Sequence, residues 1–440
     1  QNTVSDNTIS GNTGIGMYAG LENVTGTNNT YVGYLAGQGA SGQSNSSNTA
    51  VGQSSLLSIR TGEDNTIIGD SSGDAITTGS RNVAVGGHAL GTSTDVDRAI
   101  CIGYAAGNAN MVADADGTVA IGYSAGAAMT DPADSGEVSV FIGYQAGNAN
   151  TIGSGQVAVG YEALLTNVAG GRATAIGFQA LKVATKASAA DTYNVAVGYK
   201  AGLALTSGTH NVFLGGRAGI GTTDVDKTVI IGVEAAEADM TDAADGTVAV
   251  GNAALKALTS GAGNTAVGFE ALKTNVDGDN NTAVGYEALE TFEADADGHG
   301  NNTAVGKAAG KTISTGTENI AIGSGCMSTG TITGDQNVCV GVSSGDNLTS
   351  GSYNIFLGGS AGQSILYGAS NIAIGYQAFD AAAADESWNV AIGSNAMGAC
   401  DQGSNGLADI DANVAIGYNA LLGGDFGSSN KNLQSNVAVG

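Results

Sequence analysis

Proline occurs once in this chain and aromatic residues make up 5% of it, so a core would have to be built from Ala, Val, Ile and Leu in thin layers. Basic residues are scarce as well. Lys and Arg total 14 against 40 Asp and Glu, a formal net charge of −26 that repels phosphate backbones and anionic headgroups. That balance argues against nucleic acid and membrane surfaces as partners and leaves cations, Ca²⁺ above all. No apolar run is long enough to span a bilayer, and no basic-then-apolar leader opens the chain. The four cysteines, at 101, 326, 339 and 400, show neither metal-type spacing nor a disulfide framework. Only three histidines are present, His88, His210 and His299, and no Ser-His-Asp or Cys-His arrangement can be built on them. The chain therefore reads as a non-enzymatic protein.

What is abundant is glycine, with 72 residues, and it is periodic. A unit of the form Asn-β-Ala-aliphatic-Gly-Tyr-x-Ala-Leu/Gly, where β is Val, Ile or Thr, recurs from Gly16 to Gly440. Clear copies run from Asn264 to Leu272 and from Asn371 to Phe379. Anchored on that glycine there are 24 copies, and 13 of the 23 intervals are 17 residues long while none is shorter. Seventeen residues is thus the minimal coil, and longer intervals carry loop insertions. The expected fold is an all-β parallel β-solenoid of about 24 coils, a rod of roughly 115 Å at the spacing of neighbouring strands. Residues 82–122 match 211–251 at a constant offset of 129, as expected for growth by duplication. No composition break marks a second domain, so 1–440 reads as one continuous array that begins and ends inside a repeat, a segment of something longer.

The residue before each anchor glycine is Val or Ile, or Leu at 214 and 357, and the residue three before it is always Val, Ile or Thr. These two positions share one face of a strand. The expectation is that this face points into the coil. The residue between them would then face outward, yet it is Ala in most copies and never charged. A strand apolar on both faces is covered on both. This predicts an intersubunit axis lined by the residue two before each glycine, at Ala266, Ala283, Ala304, Ala321, Cys339, Phe356 and Ala373 among others. The residue three after the glycine is Ala in 19 of the 23 copies that reach it, which implies a tightly packed corner. Cys101 and Cys339 fill the first Ala slot and Cys326 the second, so they read as small apolar fillers. Asn stands four before the glycine in 17 of 24 copies, placed to form a hydrogen-bonded ladder and suited to a left-handed turn conformation.

The Asn-x-Ala-Val/Ile-Gly core resembles the head repeats of YadA-type trimeric autotransporter adhesins. The fuller form from Asn281 to Leu289 is similar to repeats of phage tail fibres and related bacterial surface proteins. The resemblance covers essentially every coil. It implies a left-handed parallel β-roll assembled as a homotrimer, extracellular or on a virion, with attachment to a cell-surface receptor or glycan as its task. The coil here is longer than the usual adhesin-head unit. A monomeric β-solenoid that binds ice or polysaccharide is the other reading, weakened because Thr alternates irregularly with Val and Ile.

Several turns pair aspartates beside glycine, with Asp114 and Asp116, Asp277 and Asp279, and Asp295 and Asp297 as candidate Ca²⁺ ligands. None completes a twelve-residue calcium loop, and Asp and Gly are also ordinary turn formers whose charge keeps a fibre in solution. Tyr recurs directly after the glycine, as at 104, 123, 144, 161 and 199. Such a stripe could stack on sugar rings or pack over the neighbouring coil.

Overall fold

The strands of the repeat are three residues long and end at the residue before an anchor glycine. The computed structural model describes residues 11–111, 115–130, 138–185, 190–294, 299–381, 385–400, 410–423 and 433–440. Twelve such strands, from Thr13–Ile15 to Val212–Leu214, belong to the compact unit Gln1–Asp224; twelve more, from Val229–Ile231 to Val437–Val439, belong to the unit Val225–Gly440. The architecture is an all-β parallel β-solenoid, as the repeat predicts, and the described residues contain no α-helix; Asp242–Ala244 form a 3₁₀ turn.

Neighbouring strands pair parallel with repeat positions in register. Thr265, Ala266 and Val267 lie beside Thr282, Ala283 and Val284, 17 residues on. Those lie in turn beside Thr303, Ala304 and Val305, across an interval of 21. The four extra residues are absorbed in the turn, since a slip of one residue would exchange the two faces of the strand. Near the end of the second unit, Ile410–Asp411 and Leu433–Gln434 form a separate two-stranded parallel pair.

The burial pattern reverses the expected orientation of the strand. The middle residue is the buried one: Ala266, Ala283, Ala304, Ala321, Cys339, Phe356 and Ala373 are all fully enclosed within the single chain, and the β-branched residues on either side are partly or fully exposed. These seven residues therefore line the inside of the coil, not an axis between subunits. The reason is the narrowness of a 17-residue coil together with the period of two. Asn at the fourth position before the glycine shares a face with the middle residue, and its amide needs hydrogen-bond partners that only the interior supplies. The coil around Gly285 shows the filling, with Asn281, Ala283, Ala288, Leu289 and Phe292 all buried.

Interior volume is exchanged between facing positions of the coil. In the coils whose middle residue is Ala266 or Ala283, the fourth residue after the glycine is a buried Leu, Leu272 and Leu289. Where the middle residue is aromatic, that Leu is replaced by Gly in the same coil and in the one before. Phe141 has Gly147 and Gly126, Phe213 has Gly219 and Gly202, Phe356 has Gly362 and Gly345, and Tyr31 has Gly37 and Gly20. A Cβ on Gly362 would stand 2.7 Å from three ring carbons of Phe356, and one on Gly126 would stand 2.8 Å from the ring of Phe141. An interior packed at crystal density has room for one large side chain between the middle residue and the fourth residue after the glycine.

The Asn ladder forms. In the second unit each amide oxygen accepts the backbone N–H of the corresponding Asn in the next coil, without a break from Asn264 through 281, 302, 319, 337, 354, 371, 389 and 413 to Asn436. The amide nitrogens donate to carbonyls at the far side of the coil; Asn354 Nδ2 reaches Gly368 O at 2.9 Å. A shorter run joins Asn12, 29, 48, 65 and 82 in the first unit. The left-handed conformation falls one residue earlier than expected, at Asn280 rather than Asn281 for example (φ 55°).

That coil has positive φ again at Gly285 (143°), Glu287 (54°) and Leu289 (50°). Left-handed backbone is uncommon outside glycine, and at Glu287 and Leu289 the coil stack compensates for it. Glu287 N–H donates to Phe269 O in the preceding coil at 2.8 Å, and Leu289 N–H donates to Ala309 O in the following one at 3.0 Å. Gly285 cannot carry a side chain at all, because a Cβ would meet the carbonyl of Gly306 in the next coil.

Candidate functional site

The reversal of the strand leaves its β-branched pairs on the outer surface. Within the second unit one column runs Thr265, Thr282, Thr303, Ile320, Val338, Ile355 and Ile372, and the other runs Val267, Val284, Val305, Ile322, Val340, Leu357 and Ile374. Neither column contains a charge in any coil of either unit. Twelve strands at about 4.8 Å spacing make an uncharged strip roughly 50 Å long in each unit. Soluble monomers rarely expose contiguous apolar patches beyond a few hundred Å².

Beside this strip, at the residue after the glycine, Tyr104, Tyr123, Tyr144, Tyr161, Phe178 and Tyr199 stack face to face, with centroids 4.9 to 5.6 Å apart and planes within 14°. Each ring covers its neighbour's face, so the column packs along the coils and offers edges and hydroxyls outward. Phe269 and Tyr286 repeat the arrangement in the second unit. The faces a sugar would need are occupied.

Of the candidate calcium ligands, Asp114, Asp295 and Asp297 lie outside the described residues. Asp116 and Asp279 belong to a second ladder, at the sixth position before the glycine. Asp116 Oδ1 accepts Asp97 N–H at 2.6 Å and Asp279 Oδ1 accepts Ala262 N–H at 2.7 Å. Asp97, Asp245, Asp335 and Asp411 do the same, and Ser80, Ser352 and Ser387 substitute their hydroxyls. The acid-rich turns thus tie one coil's backbone to the next, and Asp116 adds an ion pair to Arg98 at 2.9 Å. Asp277 differs. Its buried Oδ1 has no hydrogen-bond partner among the described residues, and burial together with the Asp277 charge pushes the Glu293 carboxyl above its ordinary range.

A cluster the sequence reading missed joins Glu270, Glu287 and Glu290, whose carboxylates converge closely enough to hold a cation. Lysines from the same and the next coil already stand there. Lys273 Nζ lies 3.0 Å from Glu270 and 4.0 Å from Glu290; Lys311 Nζ lies 3.1 Å from Glu290 and pairs with Glu287. The Lys311 hydrogen bond holds Glu287 below the usual carboxylate range. The signal was present as Glu270 and Glu287 at the second residue after successive glycines and Lys273, Glu290 and Lys311 alternating at the fifth.

The four cysteines are free and buried, in keeping with their reading as apolar fillers. Burial pushes the Cys101 thiol up to about 12 and Cys400 to about 11, and the Cys326 thiol donates to the Cys339 carbonyl at 3.2 Å. Such thiols are unreactive at neutral pH. No described helix is long and apolar enough to cross a membrane. Comparison with family models and with curated proteins gives no match.

Proposed function

We propose that this chain is a structural and adhesive segment of an extracellular homotrimeric fibre, carried on a virion or a bacterial surface, that attaches to a host receptor or glycan and has no enzymatic activity. The observation that carries the reading is the uncharged outer strip of Val, Ile, Leu and Thr. Parallel sheets are ordinarily covered on both faces, and here the coil interior covers one. A second and third copy of the same strip, brought together about a common axis, would cover the other with β-branched residues suited to interdigitation. The YadA-type and tail-fibre resemblance of the repeat points the same way.

Light scattering on the purified chain tests this, with a trimer mass expected. Ile322→Asp, on the outer strip, should lower the mass to that of a monomer while far-UV circular dichroism keeps its β signal. Ala321→Asp, one residue away but inside the coil, should unfold its part of the array, because it buries an unpaired carboxylate. A wild-type monomer at micromolar concentration would refute the trimer and favour the monomeric binding solenoid.

A further inference from the structure

Aromatic residues also occupy an outward corner of the coil, where Tyr193 of the first unit packs on His210 and under Arg172. The fifth residue before the glycine has positive φ in coil after coil and projects outward, and it is usually polar or small, as at Asn280, Asn301, Glu318, Gln336 and Ser370. In two coils of the second unit it is Tyr353 (φ 63°) and Trp388 (φ 60°), the chain's one tryptophan. They are 61% and 65% exposed. Neither burial nor backbone conformation calls for a bulky ring in this position, where left-handed φ is least favourable for large side chains.

Unlike the stacked tyrosines, these rings meet no other aromatic ring and no cation among the described residues. Register makes Tyr353, Ser370 and Trp388 consecutive members of one column, since Ile355, Ile372 and Val390 pair in sequence. The two rings are therefore two coil steps apart, roughly 9.6 Å, with the short side chain of Ser370 between them. Tyr367, also well exposed, lies on the same turn three residues before Ser370.

We infer that Tyr353 and Trp388 form a stacking platform for an extended, neutral polysaccharide. The apolar C–H face of a pyranose packs on an electron-rich ring, and Trp and Tyr give large contact area at small entropic cost. Two rings at this separation suit alternate sugars of an extended β-linked chain, with the intervening sugar above Ser370. The neutral class follows from charge. With a net −26 and Asp335 of the preceding coil beside Tyr353, whose N–H donates to the Asp335 carbonyl, a uronate, a sulfated glycan or a nucleic acid is repelled. The platform gives the adhesive role a surface and rests on that reading. It does not require the trimer.

Because Trp388 is the sole tryptophan, its fluorescence reports this site alone. Titrating the full chain with cellohexaose and with chitohexaose should give a saturable blue shift with at least one of them. Tyr353→Ala should weaken binding at least tenfold without changing the β signal, whereas Tyr123→Ala, in the stacked column, should leave it unchanged. Hyaluronan should give no shift. No saturable shift with either neutral oligosaccharide, an affinity indifferent to Tyr353→Ala, or equal binding of hyaluronan would overturn the proposal. Light scattering on the same samples separates this failure from that of the fibre reading: a trimer that binds no glycan refutes the platform alone.

Discussion

Exchanging the two ways of filling a coil is the most demanding test of this packing. Phe356 is fully buried, and truncation to Ala should cost about 3–5 kcal/mol through the lost transfer energy and the cavity left behind. Gly362→Leu should destabilise as well, by at least the 1–3 kcal/mol or so of an overpacked core, because its Cβ would stand 2.7 Å from three carbons of the Phe356 ring. Backbone strain adds little to that figure, since Leu272 and Leu289 hold the same position at φ 50° against 60° at Gly362. The double variant rebuilds the Ala-plus-Leu coil seen around Ala266 and Ala283. It should therefore be more stable than either single variant, with a coupling of about 2 kcal/mol or more in the cycle. Repeat arrays do not melt strictly as two states. Urea unfolding should accordingly be paired with hydrogen exchange of the Ile355 and Leu357 amides, which report this layer. Additive losses in the double variant would show that the glycines do not compensate for the ring, and the volume argument would be wrong.

Two further predictions concern the polar interior. Asn337→Leu removes the acceptor of the Asn354 N–H and the donor to Gly351 O, so it should cost about 1–3 kcal/mol for each group left unpaired. Exchange at the Asn354 amide should accelerate more than at amides several coils away. Asp277→Asn should raise the urea midpoint at pH 7 and change it little near pH 4. Glu293 is held above the ordinary carboxylate range by burial and by Asp277, so the folded chain binds that proton more tightly than the unfolded chain. Stability is then lost as pH rises from the unfolded carboxyl value through the raised folded one, and removing the Asp277 charge relieves that loss. An equal gain at both pH values would refute the charge argument.

Much of this molecule is legible in 24 imperfect copies of one unit. The anchor glycines mark the strand ends, and the 17-residue minimum gives the coil. The Asn column announces its ladder because identical amides stacked at strand spacing have each other as partners. The Phe and Gly exchanges were also on view as paired substitutions between coils. They carried no meaning until the middle residue was known to point inward. The acid-rich turns offered two chemistries, ligand cage or turn former, and only the hydrogen bonds of Asp116 and Asp279 show that the carboxylates hold the preceding coil's backbone.

Which residues belong together follows from strand periodicity alone: a period of two puts Thr265 with Val267 and Asn264 with Ala266, whatever the fold does next. It could not say which pair is inside, because both sets are uncharged and small or β-branched. Only the closed coil decided that. Its narrow interior admits Ala, a buried amide and one large side chain beside them, and it turns the Val, Ile and Thr columns outward.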